Sequence, residues 1–243
     1  THVGMVLVDP PFLKNKGVNM QNKKNDTTDV GGSEVFMDVN ELRNKAMLGN
    51  VVAQYNLSAC FLAGIEVKQD LNMSFDLCKS AAEAGLLEAQ RHLSAMHANG
   101  VGTKVDCKNA VKWAKIAAYQ GLAKAQFDLA IFYMKGDCLK KDVNKAFQLF
   151  EMAAFNNDDR AQYNLSVMLE YGISTPIDHD ESLDWLQKSA LHNNADAKYA
   201  LVKMTNKLNL ENGFNSMVLV YDNSDDSCIS VKGATNGKKK VLH

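Results

Sequence analysis

The pentapeptide Ala53-Gln54-Tyr55-Asn56-Leu57 returns as Ala89-Gln90-Arg91-His92-Leu93, Ala125-Gln126-Phe127-Asp128-Leu129, Ala161-Gln162-Tyr163-Asn164-Leu165 and Ala197-Lys198-Tyr199-Ala200-Leu201, always 36 residues further on. Other series keep the same step. Gly64, Gly100, Gly136 and Gly172 are each followed six residues later by Asp70, Asp106, Asp142 and Asp178. Leu77, Trp113, Leu149 and Trp185 form a third series, and Ala82, Ala118, Ala154 and Ala190 a fourth, with Ala46 one step earlier. Independent series in one register mark a repeat array, in which each unit buries its faces against its neighbours instead of around one central core. The repeats therefore set the domain boundaries, which a length of 243 residues alone does not.

Residues 87 to 121 illustrate one unit. Ala89, Leu93 and Met96 fall at i, i+4 and i+7, the apolar stripe of a first helix from Glu88 to Ala98. Asn99-Gly100-Val101-Gly102 ends that helix, because glycine reaches the left-handed conformation that helix C-termini often require. Asp106 then caps a second helix, in which Ala110, Trp113, Ala114 and Ala117 face inward while Lys112 and Lys115 face solvent. Small alanines let neighbouring helices approach, and the large residue at Trp113, Leu149 or Trp185 fills the groove between them. A lone second helix is expected over Val35 to Leu48 and a lone first helix from Ala197 to Leu208, giving four full repeats with a half repeat at either end.

The domain reading is a flexible arm over 1–33, a helical array over 34–210, and a tail over 211–243. Residues 9 to 33 are rich in Asn, Lys, Asp and Gly without a period. In the tail, Met217-Val218-Leu219-Val220-Tyr221 and Cys228-Ile229-Ser230-Val231 flank a turn-rich segment and read as a small β-hairpin. Met5-Val6-Leu7-Val8 repeats four of those residues outside the 36-residue register, as a further strand that pairs with the tail or offers an edge to a partner.

The pattern Ala-Gln-Tyr-x-Leu, Gly-x-Gly-Val, Asp, Lys-Ala-x-x-Trp, Ala-Ala and Gly resembles the Sel1-like repeat, a relative of the tetratricopeptide repeat, over residues 35 to 205. The resemblance implies an all-α fold, a right-handed α-solenoid of antiparallel helix pairs. It also implies function by contact: assembling complexes, adapting signalling or quality-control partners, or engaging a host. Glu66, Cys138 and Ser174 replace the second loop glycine that survives at Gly102, and Asn157 and Asn193 replace the helix-closing Gly49, Gly85 and Gly121. Asparagine also tolerates the left-handed conformation, so that replacement keeps the fold.

Equivalence between repeats separates structural from exposed polar residues. Cys60 matches Met96, Phe132 and Met168, and Cys78 matches Ala114, Phe150 and Leu186, so both are expected in the core. Cys107 is expected to be half-buried, and Cys138 and Cys228 accessible. Five cysteines without repeat spacing suggest mostly free thiols and so favour a reducing, cytoplasmic compartment. His97 matches Phe61, Tyr133 and Leu169 and reads as a core or groove histidine with one satisfied nitrogen. No His, Cys and Asp set has metal-ligand spacing, no nucleophile-base-orienter set is evident, and no glycine-rich loop follows a strand. No catalytic, cofactor or metal residue is therefore assigned.

The third and fourth pentapeptide positions vary where the chain should be exposed. In related solenoids first helices line the inner surface, which would place Tyr55, Asn56, Arg91, His92, Phe127, Asp128, Tyr163 and Asn164 in a concave groove. Aromatic and Arg anchors beside amide donors are the types enriched at binding hot spots. A recurring Tyr also fits packing against the next helix, so both readings stand. The leading expectation is a non-enzymatic adaptor for a protein or peptide. The alternatives are a self-assembling unit joined through end helices or tails, and an enzyme like the cell-wall or β-lactam-directed activities proposed for exported relatives. With 27 basic against 28 acidic residues, nothing favours nucleic acid or an anionic membrane, and Lys238-Lys239-Lys240 reads as a solvated end. No stretch approaches the ~20 apolar residues of a membrane helix, so a soluble chain is expected. It opens on Thr1, which leaves room for a leader removed upstream.

Overall fold

A computed structural model describes residues 38–211, 217–221 and 229–233. The N-terminal arm, the Met5 to Val8 segment, Cys228 and the Lys238 to Lys240 run lie outside the described residues. The chain divides into two compact units, Thr1–Gln120 and Gly121–His243. The first holds α1 (Val39–Met47), α2 (Val51–Ala63), α3 (Leu71–Glu83), α4 (Leu87–Asn99) and α5 (Cys107–Tyr119). The second holds α6 (Ala123–Lys135), α7 (Val143–Phe155), α8 (Asp159–Tyr171), α9 (His179–Leu191) and α10 (Ala195–Glu211), then β1 (Met217–Tyr221) and β2 (Ile229–Gly233). The strands form an antiparallel ladder with Met217 opposite Gly233 and Tyr221 opposite Ile229.

The periodic Gly and Asp residues build each helix pair. Gly64, Gly100, Gly136 and Gly172 close α2, α4, α6 and α8 in the left-handed conformation, each donating its N–H to the carbonyl four residues back. Asp70, Asp106, Asp142 and Asp178 accept from the amides of Met73, Asn109, Lys145 and Glu181 at 2.9 to 3.1 Å, capping α3, α5, α7 and α9. The same aspartates donate their own N–H to the carbonyls of Phe61, His97, Tyr133 and Leu169. One residue thus caps the second helix and ties it to the first. Asn157 and Asn193 adopt positive φ, as Gly49, Gly85 and Gly121 do. Glu66 and Ser174 hold positive φ as well, at the loop position of Gly102.

The core is serial. Val39, Leu42, Ala46, Ala53, Leu57 and Cys60 form one cluster between α1 and α2. Tyr55, Cys78, Ala81, Ala82, Ala89, Leu93 and Met96 form the next, with Phe75 and Trp113 packed against it. In the second unit the equivalent Ala125, Leu129, Ala161 and Leu165 are buried, as are Phe150 and Trp185. The pentapeptide glutamines join successive repeats: Gln90 and Gln162 donate to the carbonyls of Ala82 and Ala154, which lie in the last turn of the preceding second helix. Their Oε1 atoms accept from Gln120 and His192, and Gln126 accepts likewise from Asn156. Where the two helices of a repeat cross, small residues meet. Ser74 donates to the Ser58 carbonyl and Ser182 to the Ser166 carbonyl, both at 2.8 Å, while the third repeat has Ala130 and Ala146 at those positions.

One expectation is corrected. Cys60 and Cys78 are free and buried, but Cys107 and Cys138 are disulfide-bonded, so the thiols are not mostly free. Comparing each cysteine with its own repeat equivalents hid this, because Cys107 stands at the register position of Leu71 and Cys138 at that of Gly102. The cysteines therefore give no preference for a reducing compartment.

Candidate partner-binding face

The third and fourth pentapeptide positions sit on the first helix of each repeat, and the two units use them differently. In the N-terminal unit Tyr55 of α2 is 5% exposed. Its ring lies 5.1 Å from that of His92 on α4, and its hydroxyl is hydrogen-bonded to His92 Nε2 at 3.2 Å. Burial raises the Tyr55 phenol pKa well above its usual value despite the nearby Arg91 cation. Arg91 and His92 are buried as well, and Asn56 is half-buried.

The C-terminal unit is more open. Phe127 of α6 is half-buried, with its ring 5.6 Å from Phe150 and the Arg160 guanidinium 4.1 Å above it. Arg160 Nη2 donates to Asp158 Oδ2 at 2.9 Å, and the Asp158 side chain is almost wholly enclosed. Burial works against the Arg160 charge, but the bond to Asp158 and the carboxylates of Asp158, Asp128 and Asp159 outweigh it and raise the pKa. Asn164 turns to its own helix, donating to the Arg160 carbonyl at 2.8 Å. Tyr163 and Asp128 are half-buried. Burial, then Asp196 and Tyr171, raise the Tyr163 pKa. Tyr199, at the same position on α10, is 61% exposed.

The structure therefore brings Tyr55 and His92 together in the core, leaves Phe127 half-buried under Arg160, and leaves Tyr163 half-buried and Tyr199 exposed on the first helices that follow. Arg160 escapes a search confined to the pentapeptide; its signal is a cation one residue before Ala161 and two after Asp158. A second exposed series lies at the ends of the second helices. Met47, Tyr119, Phe155 and Leu191 all end second helices at one register position, where the remaining repeat has Glu83. Within the C-terminal unit Phe155 is 66% exposed and rests on the edge of Trp185 at 5.1 Å, and Leu191 is 81% exposed. Among the described residues no group of three His, Cys, Asp or Glu side chains could hold a metal ion, and no helix is long and apolar enough to cross a membrane.

The Sel1 repeat family model matches residues 51–86, 87–122, 123–158 and 159–194, the four full repeats of the 36-residue register. Among solved structures the chain is similar to a Sel1 repeat protein from Oxalobacter formigenes, with 31% sequence identity, 68% of each chain covered and a TM-score of 0.66. It is also similar to a protective antigen of uropathogenic Escherichia coli strains that displays an SLR fold, at 26% identity and a TM-score of 0.48. That alignment covers 72% of this chain and 44% of the antigen. No curated protein matches.

Proposed function

Since the chain belongs to the Sel1 repeat family and folds as its α-solenoid, we propose that it is a non-enzymatic scaffold that binds a protein or peptide through the first helices of its C-terminal unit. The observation that carries this reading is one register position on successive first helices where Phe127 and Tyr163 are half-buried and Tyr199 is exposed. Large rigid rings contribute contact area at little entropic loss, which is why they anchor interfaces. Asp128 and Asn56 add polar contacts at the fourth position. Asn164 adds its carbonyl oxygen, since its amide donates to the Arg160 carbonyl. Arg91, His92 and Tyr55 support the stack from within.

Peptide display against the folded protein tests this. Selected peptides should lose most of their affinity for the Tyr163→Ala/Tyr199→Ala double variant while its melting temperature stays within a few degrees of the parent. Equal binding to parent and variant would place the site elsewhere.

Self-association is the second reading, favoured by the exposed Phe155 and Leu191 at the ends of α7 and α9. Light scattering of the parent beside Phe155→Glu/Leu191→Glu separates the two. A dimer that the charges dissociate supports self-association, and a monomer throughout removes it.

A further inference from the structure

Position 97 breaks the pattern of its series. The equivalents are Phe61, Tyr133 and Leu169, and all four residues give their carbonyls to the Asp that begins the next helix. In the second repeat the residue is His97, whose carbonyl accepts the Asp106 N–H at 2.8 Å. The residue is 9% exposed, and its ring meets Phe75 of α3 edge to face, centroids 5.2 Å apart. Nδ1 is enclosed and makes no hydrogen bond with any described residue. Two charged groups act on the ring from neighbouring helices, Asp106 at the start of α5 and Lys79 on α3, with opposite effects. Asp106 is already engaged: its Oδ1 accepts from the Asn109 amide at 3.0 Å and its Oδ2 from Asn109 Nδ2 at 2.7 Å.

We propose that His97 makes the joint between α3, α4 and α5 acid-sensitive: the enclosed ring is neutral at neutral pH, and its protonation loosens the joint. A proton on Nδ1 would convert a buried lone pair into a buried N–H that carries charge and has no acceptor at hydrogen-bond distance. Phe75 offers a ring in place of an acceptor. Position in the last turn of α4 favours a cation, and so does Asp106, but burial dominates and holds the His97 pKa below the usual histidine value. The sign follows from linkage. With the folded value below the unfolded one, His97 contributes full stability above about pH 6.5, and that contribution is lost as pH falls from there through the folded value. The Asp106 N–H bond to the His97 carbonyl ties the same residue to the α5 cap, so displacing the ring disturbs both helices.

The test uses the residues that the fold itself places at this position. His97→Phe and His97→Tyr copy Phe61 and Tyr133 and remove the titrating ring. Between pH 7 and pH 5 the parent's melting temperature should fall several degrees further than that of either variant. Amide exchange, corrected for its intrinsic pH dependence, should accelerate at the ends of α4 and α5 in the parent alone. In the folded parent, NMR of labelled histidine should show the His97 ring titrating below the free imidazole. Equal acid sensitivity in parent and variants would overturn the proposal. So would a ring that titrates at or above the free value, a result that decides the matter even if neither variant folds.

Discussion

Tyr55 in the N-terminal unit and Tyr163 in the C-terminal unit occupy one register position, yet the first is sealed into the stack and the second keeps part of its ring in solvent. The cause is the fourth pentapeptide residue of the following repeat. Opposite Tyr55 that residue is His92, long enough to hydrogen-bond the hydroxyl and cover the ring. Opposite Phe127 it is Asn164, which bonds to its own backbone and leaves the ring to Arg160. For Tyr163 it is Ala200, too short to cover anything. Whether a recurring aromatic packs or presents is thus decided one repeat away.

The largest expected consequence is at Tyr55. Tyr55→Ala removes a buried ring and its hydrogen bond to His92, a loss of about 3–5 kcal/mol, whereas Tyr163→Ala should lower stability by about 1 kcal/mol or less. Chemical denaturation of the two variants reads the difference, and equal losses would erase the contrast between the units.

The interhelical loops give the next contrast. A Cβ on Gly102, at φ +65°, would stand 2.0 Å from the Leu71 carbonyl oxygen, so Gly102→Ala should cost about 2–4 kcal/mol. Ser174 holds the same φ in the C-terminal unit with a side chain in place. Ser174→Ala should therefore change the unfolding midpoint little, and a large loss there would show that the two loops are built alike.

Arg160→Ala uncovers Phe127 and leaves the enclosed Asp158 carboxylate without its ion partner, so a loss of about 1–3 kcal/mol is expected. Because Asp158 still caps the Ala161 amide, α8 should keep its start, as exchange protection at Ala161 would report. The smallest effect sharpens the rule directly. Ala200→His should supply the missing cover and raise the C-terminal unit's stability by about 0.5 kcal/mol, with Tyr163 becoming less accessible. An unchanged Tyr163 would mean that residue length at the fourth position is not what decides exposure.

Much of this architecture was legible because it is local and periodic. A glycine six residues before an aspartate specifies one helix end and the next helix start, and Gly100 with Asp106 does both. Cys60 and Cys78 were assigned to the core from their equivalents, and both are buried. Features that depend on two register positions at once were not legible. The Ser58 and Ser74 crossing, the cover of Tyr55 by His92 and the stacking of Arg160 on Phe127 each join residues that no single series relates. The disulfide-bonded state of Cys107 and Cys138 was not legible either, because each is the one cysteine at its register position. For the face itself, the pentapeptide picked out the first helices but could not say which of their side chains stay exposed.

Residue-resolved hydroxyl-radical footprinting of the folded protein measures that distinction most directly. Tyr199 should be modified fastest, Tyr163 more slowly, and Tyr55 only after denaturant unfolds the stack. Modification of Tyr55 in the native protein at the rate of Tyr163 would contradict the division between a packing and a presenting unit.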